Sequence, residues 1–318
     1  MASIYSGRGS VIGLATEDVY GTAKARSNWR PVISSSLTRT VEKVPRPSLR
    51  VGTLGAMRRS NYVSVDSAGG SFSVECTYEN VGLLLHHWLG SSSTYTATGS
   101  APFTHTYKIA EDVPLGLTIE NVRGTGTSET FEGCRISSGT LSVASAGVMS
   151  FEAEVIAETS AARGSAGTPS FGSGDTPVLH SHAGTPALTW GGSSYNLVDF
   201  SVTVNNALST RQHLGSAATK KPLRSDFQTV EVSCTVECDD ALMAAYLANT
   251  ESDGTITFTS GSQSFKVEFQ NAYLSACSDP ISDASIVQQS LTFTCQSDGT
   301  NEGIEVTVIN ANATATAN

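Results

Sequence analysis

The sequence has no apolar run approaching the roughly 20 residues that cross a membrane. Its opening segment, residues 1–21, has no apolar stretch of the length a secretory signal needs. Neither a membrane partner nor export by such a signal is expected. Charge is scarce, at 15% of residues, and unbalanced: 19 Lys and Arg face 29 Asp and Glu, a formal net charge of −10. A protein that coats nucleic acid is basic, so this balance argues against that class. Cysteines are few and dispersed, at Cys76, Cys134, Cys234, Cys238, Cys277 and Cys295. Several fall on the apolar phase of strand-like runs, and buried free thiols are expected rather than a disulfide framework. Cys234 and Cys238 share a strand face about 13 Å apart. That is too far for a mutual bridge, and both are read as core thiols. Catalytic signatures are also missing: no phosphate loop, no Gly-x-Ser-x-Gly, no His-Glu-x-x-His and no Cys-x-x-Cys. No enzyme and no cofactor is expected.

What is present is a turn-rich β composition, abundant in Gly, Ser, Thr and Ala, with 39% hydrophobic residues. At 318 residues the prior is about two domains. One stretch occurs twice. Residues 73–90, SVECTYENVGLLLHHWLG, align with residues 231–248, EVSCTVECDDALMAAYLA, with Cys76 on Cys234, Leu84 on Leu242 and Trp88 on Tyr246. In the first copy Val74, Cys76 and Tyr78 alternate with Ser73, Glu75, Thr77 and Glu79, the period of a half-buried strand. Leu84, Leu85, Trp88 and Leu89 then share one face of a short helix. Asn80, and Asp239 or Asp240, are suitable N-caps. A repeated strand–helix unit implies a repeated domain.

Residues 1–31 read as an irregular arm punctuated by glycines. A strand is predicted over residues 32–44, with Leu37, Arg39 and Val41 on one face. A long turn-rich segment follows, carrying Lys43, Arg46, Arg50, Arg58 and Arg59. At the matching place in the second half are Arg211, Lys220, Lys221 and Arg224. These two loops hold nearly half of the 19 basic residues. Loops of this length in a compact domain are usually functional. Short strands are expected around residues 104–109, 115–122, 130–137 and 140–143, with a longer one at 149–157. Residues 265–275 and 288–296 repeat the later part of that pattern. The organisation is then an arm (1–31), a first β-rich domain (32–159), a flexible Gly/Ser/Pro linker (160–186), a second domain (187–310) and a tail (311–318) expected to fray. The fold class is mainly β (α+β): two tandem β-sandwich or half-barrel units, each with one flanking helix. Such units leave strand edges open unless they are paired or covered.

No metal site is expected. His86 and His87 are adjacent, so they do not share a helical face, and read as helix surface; His180 and His182 lack visible partners.

Several short features resemble the tail tube, or major tail, proteins of long-tailed bacteriophages. They are Glu17 with Tyr20-Gly21-Thr22, the run Phe131-Glu132-Gly133-Cys134-Arg135-Ile136, the Trp190-Gly191-Gly192 turn, and Val204-Asn205-Asn206 before the Arg211 loop. The resemblance covers most of the chain. It implies two packed sheets flanked by a helix, and rings whose inner strands join into a continuous β-barrel around a channel. It also implies stacking of the rings through the long loops and arms. Family rings are six-fold, so a chain with two such domains implies three copies in a pseudo-six-fold ring; six copies are the alternative. The implied setting is the virion tail, made in the host cytoplasm. The implied partners are further copies of the chain, other tail proteins at the tube ends, a tape measure protein inside, and viral DNA in transit without specific binding.

DNA must not stick to such a channel, because many phosphate contacts bind strongly and release slowly. The lumen-facing acidic candidates are Glu75, Glu79, Glu152, Glu154, Glu231 and Glu237. The basic loops then have the next ring's acidic surface as their target, giving salt-sensitive stacking. Two alternatives stand beside this reading: a two-domain β-sandwich binding or adhesion module, and a non-polymerising tail terminator or baseplate ring component.

Overall fold

The computed structural model describes residues 7–45, 61–95, 101–111, 114–124, 126–171, 175–280, 286–300 and 302–316. The chain is mainly β, with two short α-helices. In the first half β1 (Val11–Thr16), β2 (Asn28–Ser35), β3 (Thr38–Pro45) and β4 (Asn61–Glu75) precede α1 (Gly82–Leu89). Then come β5 (Gly90–Tyr95), β6 (Phe103–Ile109), β7 (Leu117–Arg123), β8 (Thr127–Val143), β9 (Ser150–Ala157) and the two-residue strands β10 (Thr159–Ser160) and β11 (Gly164–Ser165). The second half has β12 (Ala183–Trp190), β13 (Ser193–Tyr195), β14 (Leu197–Asn205), β15 (Leu208–Arg211), β16 (Lys220–Arg224) and β17 (Thr229–Glu237). These lead into α2 (Asp240–Leu247), followed by β18 (Glu251–Ser260), β19 (Gln263–Ser278), β20 (Gln288–Cys295) and β21 (Ile304–Asn310).

Strand pairing closes a six-stranded barrel in the first half, in the order β1–β2–β4–β9–β8–β7 and back to β1. In the second half β14, β17, β20, β19, β18 and β12 pair in that order, without closing among the described residues. Among the described residues two strand ladders join the halves. β8 pairs with β14 over Ser138–Val143 and Phe200–Asn205, and β6 pairs with β21. One apolar core runs through both halves, built from the inward phase of the strands and from α1. The period-2 pattern explains it: Val74, Cys76 and Tyr78 are buried, while Glu75 between them is exposed. The two-residue β12–β13 turn uses Gly191 and Gly192, whose positive φ of 59° and 79° matches the twist of a tight hairpin.

Several sequence expectations are corrected. The stretch read as an irregular arm contains β1, whose Ile12 and Leu14 are fully buried. Both of its faces are buried, so no alternation shows, and Gly13 between Ile12 and Leu14 packs against the Trp29 ring. Residues 32–44 form two strands, not one. Ser36 N–H bonds to Ser71 O at 2.8 Å and turns Leu37 into the core, so Leu37 is buried and Val41 is exposed. The 160–186 segment is pinned rather than free: Val178 N–H donates to Cys76 O at 2.9 Å and Val178 O accepts from Met149 N–H at 2.8 Å. The C-terminal stretch is strapped as well. Tyr107 Oη donates to Ala315 O at 2.6 Å, and Asn310 Nδ2 to Tyr78 O at 2.7 Å. Asp239 caps α2 by accepting from Ala241 N–H at 2.9 Å, but α1 has Val81 at its N-cap and Asn80 instead contacts Asp175. Cys238 lies past the end of β17 and is exposed, so it is not a core thiol. Burial pushes the thiols of Cys76 and Cys234 up to about 12, which leaves them inert.

Candidate functional site

β4, β9, β8, β14, β17 and β20 lie side by side in one antiparallel sheet. Alternation sends Phe72, Phe151, Leu141, Val202, Val232 and Phe293 into the core. The opposite face is therefore polar, and its cross-strand rows can be read from the pairing. One row runs Ser73, Glu152, Thr140, Thr203, Glu231, Thr294; the next runs Glu75, Ser150, Ser142, Ser201, Ser233, Thr292. Both cross from one half to the other at the β8–β14 joint without interruption. Hydroxyls bond along them, Thr140 to Thr203 at 2.9 Å and Ser142 to Ser150 at 3.2 Å. No lysine or arginine stands in either row.

The structure brings most of the acidic candidates to this face. Glu75, Glu152, Glu154 and Glu231 project from it and are exposed. Glu237 stands at the end of β17 and accepts from Asn196 Nδ2 at 2.9 Å. Glu79 is not on it. It lies beyond the end of β4, where its carboxylate accepts from Thr176 N–H at 3.0 Å and from the Gln263 amide. Asp199 was missed. It pairs with Thr235 on the polar phase of β14, and the alternation Asp199, Ser201, Thr203, Asn205 is the signal that finds it.

The basic candidates divide. Lys43 is exposed on β3; Arg46, Arg50, Arg58 and Arg59 lie outside the described residues. Arg211, Lys220, Lys221 and Arg224 sit on the β15–β16 hairpin and are half-buried. Arg211 Nε donates to Lys221 O at 3.3 Å and Arg224 Nη1 to Glu111 O at 3.2 Å. Burial lowers the Arg224 pKa. This hairpin reaches the first half's β3–β4 arm, where Asp66 N–H bonds to Ala217 O at 2.8 Å. The second basic loop thus touches β4, the strand that follows the first; residues 46–60 of the first lie outside the described residues.

Two clamps hold the surface in shape. Glu17 is buried and accepts from Gly21 N–H and Gly133 N–H, each at 2.7 Å, and from the Thr118 hydroxyl at 3.2 Å. Tyr20 donates to Gly133 O at 2.8 Å, and Gly133 has a φ of +62° that a side chain would resist. Glu17→Gln places an amide N–H₂ against these donors, and a loss of about 2–4 kcal/mol is expected in chemical denaturation. The second clamp is Asn206, whose Nδ2 donates to Trp88 O and Ile136 O at 3.0 Å each, joining β14's end to α1 and β8.

His87 corrects the helix-surface reading: it is buried, 2.8 Å from the Thr16 hydroxyl, because α1 is covered on both sides. Burial, with smaller contributions from His86 and Arg135, lowers its pKa to about 3. The unfolded chain binds a proton near pH 6.5 that the folded chain refuses, so stability falls as pH drops from 6.5 toward 3. From pH 6.5 to 5 the expected loss approaches about 1.4 kcal/mol per pH unit. Denaturation of wild type and His87→Gln across that range checks it; the variant should lack this part of the slope.

Among the described residues no group of three His, Cys, Asp or Glu side chains is placed to hold a metal ion. The arrangement is an extended acidic and hydroxyl-bearing wall on a stiff sheet. A family model described as phage tail tube protein matches residues 7–295. The chain belongs to that family. It is a structural component of the virion tail and not an enzyme. Tail tube proteins polymerise into tubes. Three of the four features that carried the resemblance take part in these clamps: Glu17 and Tyr20 clamp onto Gly133, and Asn206 onto α1 and Ile136. A comparison of this tail tube protein with curated proteins gave no match.

Proposed function

We propose that the chain is two tube units in tandem, that three chains close a pseudo-six-fold ring, and that stacked rings form the channel for DNA delivery into the host cell. The observation that carries this is the β8–β14 joint. There two sheets meet edge to edge within one chain, and the polar face continues across them. Neighbouring units of a ring must meet in the same way. The strand order supports the tandem reading: β2–β4–β9–β8 has its counterpart in β14–β17–β20–β19, with a helix after the second strand of each. The registers agree too, with Val74 opposite Phe151 and Val232 opposite Phe293. Residues 32–159 and 187–310 are the two units. The arm 1–31 supplies β1 to the first, the 160–186 segment joins them, and the 311–318 tail reaches from the second to the first through Asn312 and Ala315.

In this reading the polar face lines the lumen. Glu75, Glu152, Glu154, Asp199, Glu231 and Glu237 repel phosphate, so DNA slides without binding. Lys43, Arg46, Arg50, Arg58, Arg59, Arg211, Lys220, Lys221 and Arg224 face the acidic surface of the next ring. A tape measure protein occupies the lumen before DNA, and other tail proteins close the tube ends. Electron microscopy of the purified chain at rising concentration tests the function. Hollow rings that lengthen into tubes are expected. Rings that never lengthen would point to a terminator or baseplate component, and a monomer at every concentration and salt would overturn the reading.

A further inference from the structure

The two helices occupy the same place in their units but have opposite surroundings. In α1 every residue except His86 is buried; in α2 only Leu242 is. Leu89 is fully buried, whereas its counterpart Leu247 is 77% exposed. The difference has an identifiable source. α1 is covered by the corner that follows β14: Trp88 Nε1 donates to Val204 O at 3.3 Å, and Asn206 holds the Trp88 carbonyl. In the first unit the corresponding corner is Ser35–Leu37, since Val32 pairs with Val74 as Val202 pairs with Val232. The chain cannot fold this corner onto its own α2, which belongs to the other unit. The corner's outer edge is open: Ile33 is 57% exposed, and Val32–Ser35 back a cleft of about 390 Å³. On the other side, β19 from Leu274 to Ser278 pairs only with β20 among the described residues. The corresponding stretch of β8 has β14 on its second edge.

We infer that the exposed face of α2 is a docking surface for a second copy of this chain, whose Ser35–Leu37 corner seats on it with the exposed Ile33 just ahead of that corner. This rests on the tandem-unit reading, with the internal joint as template. Leu247, Tyr246 and Met243 are the apolar contacts on the α2 side, and Ile33 is the contact ahead of the corner. The seam differs from the internal joint at two places. β1 already pairs with Asn28–Pro31 on the edge of β2 that corresponds to the β8-facing edge of β14, so Val32–Ser35 is the part left for the neighbour. Glu251 and Ser252 at the start of β18 pair with Tyr273 and Ala272, so seating the neighbour displaces these two residues from that edge.

Cross-linking tests it. Leu247→Cys and Ser35→Cys are combined in a full-length chain carrying Cys238→Ser and Cys277→Ser, assembled, and treated with a short bifunctional thiol reagent. The expected result is a covalent ladder between chains ending at three, absent in either single variant. Leu247→Lys should fold as wild type, because the residue is exposed in the protomer, but need about tenfold or more protein to assemble. Tubes from the double variant without inter-chain links, together with normal assembly of Leu247→Lys, would overturn the docking surface and leave the tube reading standing. A ladder continuing to six would keep the surface and sink the three-chain ring. Failure of the unmodified chain to form any ring would remove the tandem reading and the inference with it.

Discussion

Trp88→Ala is expected to lower protomer stability by about 3–5 kcal/mol, the range for emptying a fully buried aromatic site. Trp88 lies where three elements meet. Its ring packs edge-on against Phe151 at 5.2 Å. It covers Gly139, where an added Cβ would come within 2.5 Å of the indole nitrogen. Its N–H reaches Val204 O in the second half. Removing it leaves a cavity under the β8–β14 joint. The paired experiment is Tyr246→Ala at the corresponding position of α2, where burial is partial and the expected cost is about 1 kcal/mol. Urea unfolding of both variants gives the comparison. Equal losses would show that α1 is no more of a keystone than α2 and would weaken the account of the joint.

The second large effect concerns charge. Glu152→Lys, Glu154→Lys and Glu231→Lys together convert the centre of the polar face from acidic to basic. All three side chains are exposed, so the fold should survive with changes within about 0.5 kcal/mol each. Tubes should still form but bind duplex DNA at low salt. Binding should weaken with rising salt, with a logarithmic slope of about 0.9 per phosphate neutralised. Wild-type tubes should bind none under the same conditions. Sedimentation of tubes with labelled short duplex reads both. Retention of DNA by wild-type tubes, or indifference of the triple variant, would remove the polar face from the lumen.

How far the sequence was legible depended on whether a segment showed its own periodicity. The strands leading into α1 and α2 alternate cleanly, and both emerged with the expected faces. Glu152, Glu154 and Glu231 sit between buried neighbours, so their placement on a common face follows from spacing alone. Glu79 had the right spacing too, but β4 ends before it, and strand ends are set by tertiary contacts with the 175–178 segment. β1 was hidden because its inward and outward residues are both covered, and burial on two sides erases alternation. The 160–186 segment has a linker's composition, yet its backbone bonds to Cys76 and Met149, and composition does not encode backbone pairing. His87 was misplaced for a similar reason: Thr16 at the end of β1 lies against it, and no pattern within α1 announces that cover. Asn206 carried a family motif but gave no sign of its role until its two carbonyl partners, far apart in sequence, were brought together.

In the proposed ring one chain supplies two consecutive units, with the β8–β14 joint as one of the junctions. The most direct test is the mass of a single ring, measured by native mass spectrometry of rings released from tubes. Three chains of 33.2 kDa each are expected, in rings whose end-on averages show six similar lobes. Six chains in a ring of six similar lobes would contradict it, since each chain would then contribute one unit and the joint within the chain would not be a ring junction.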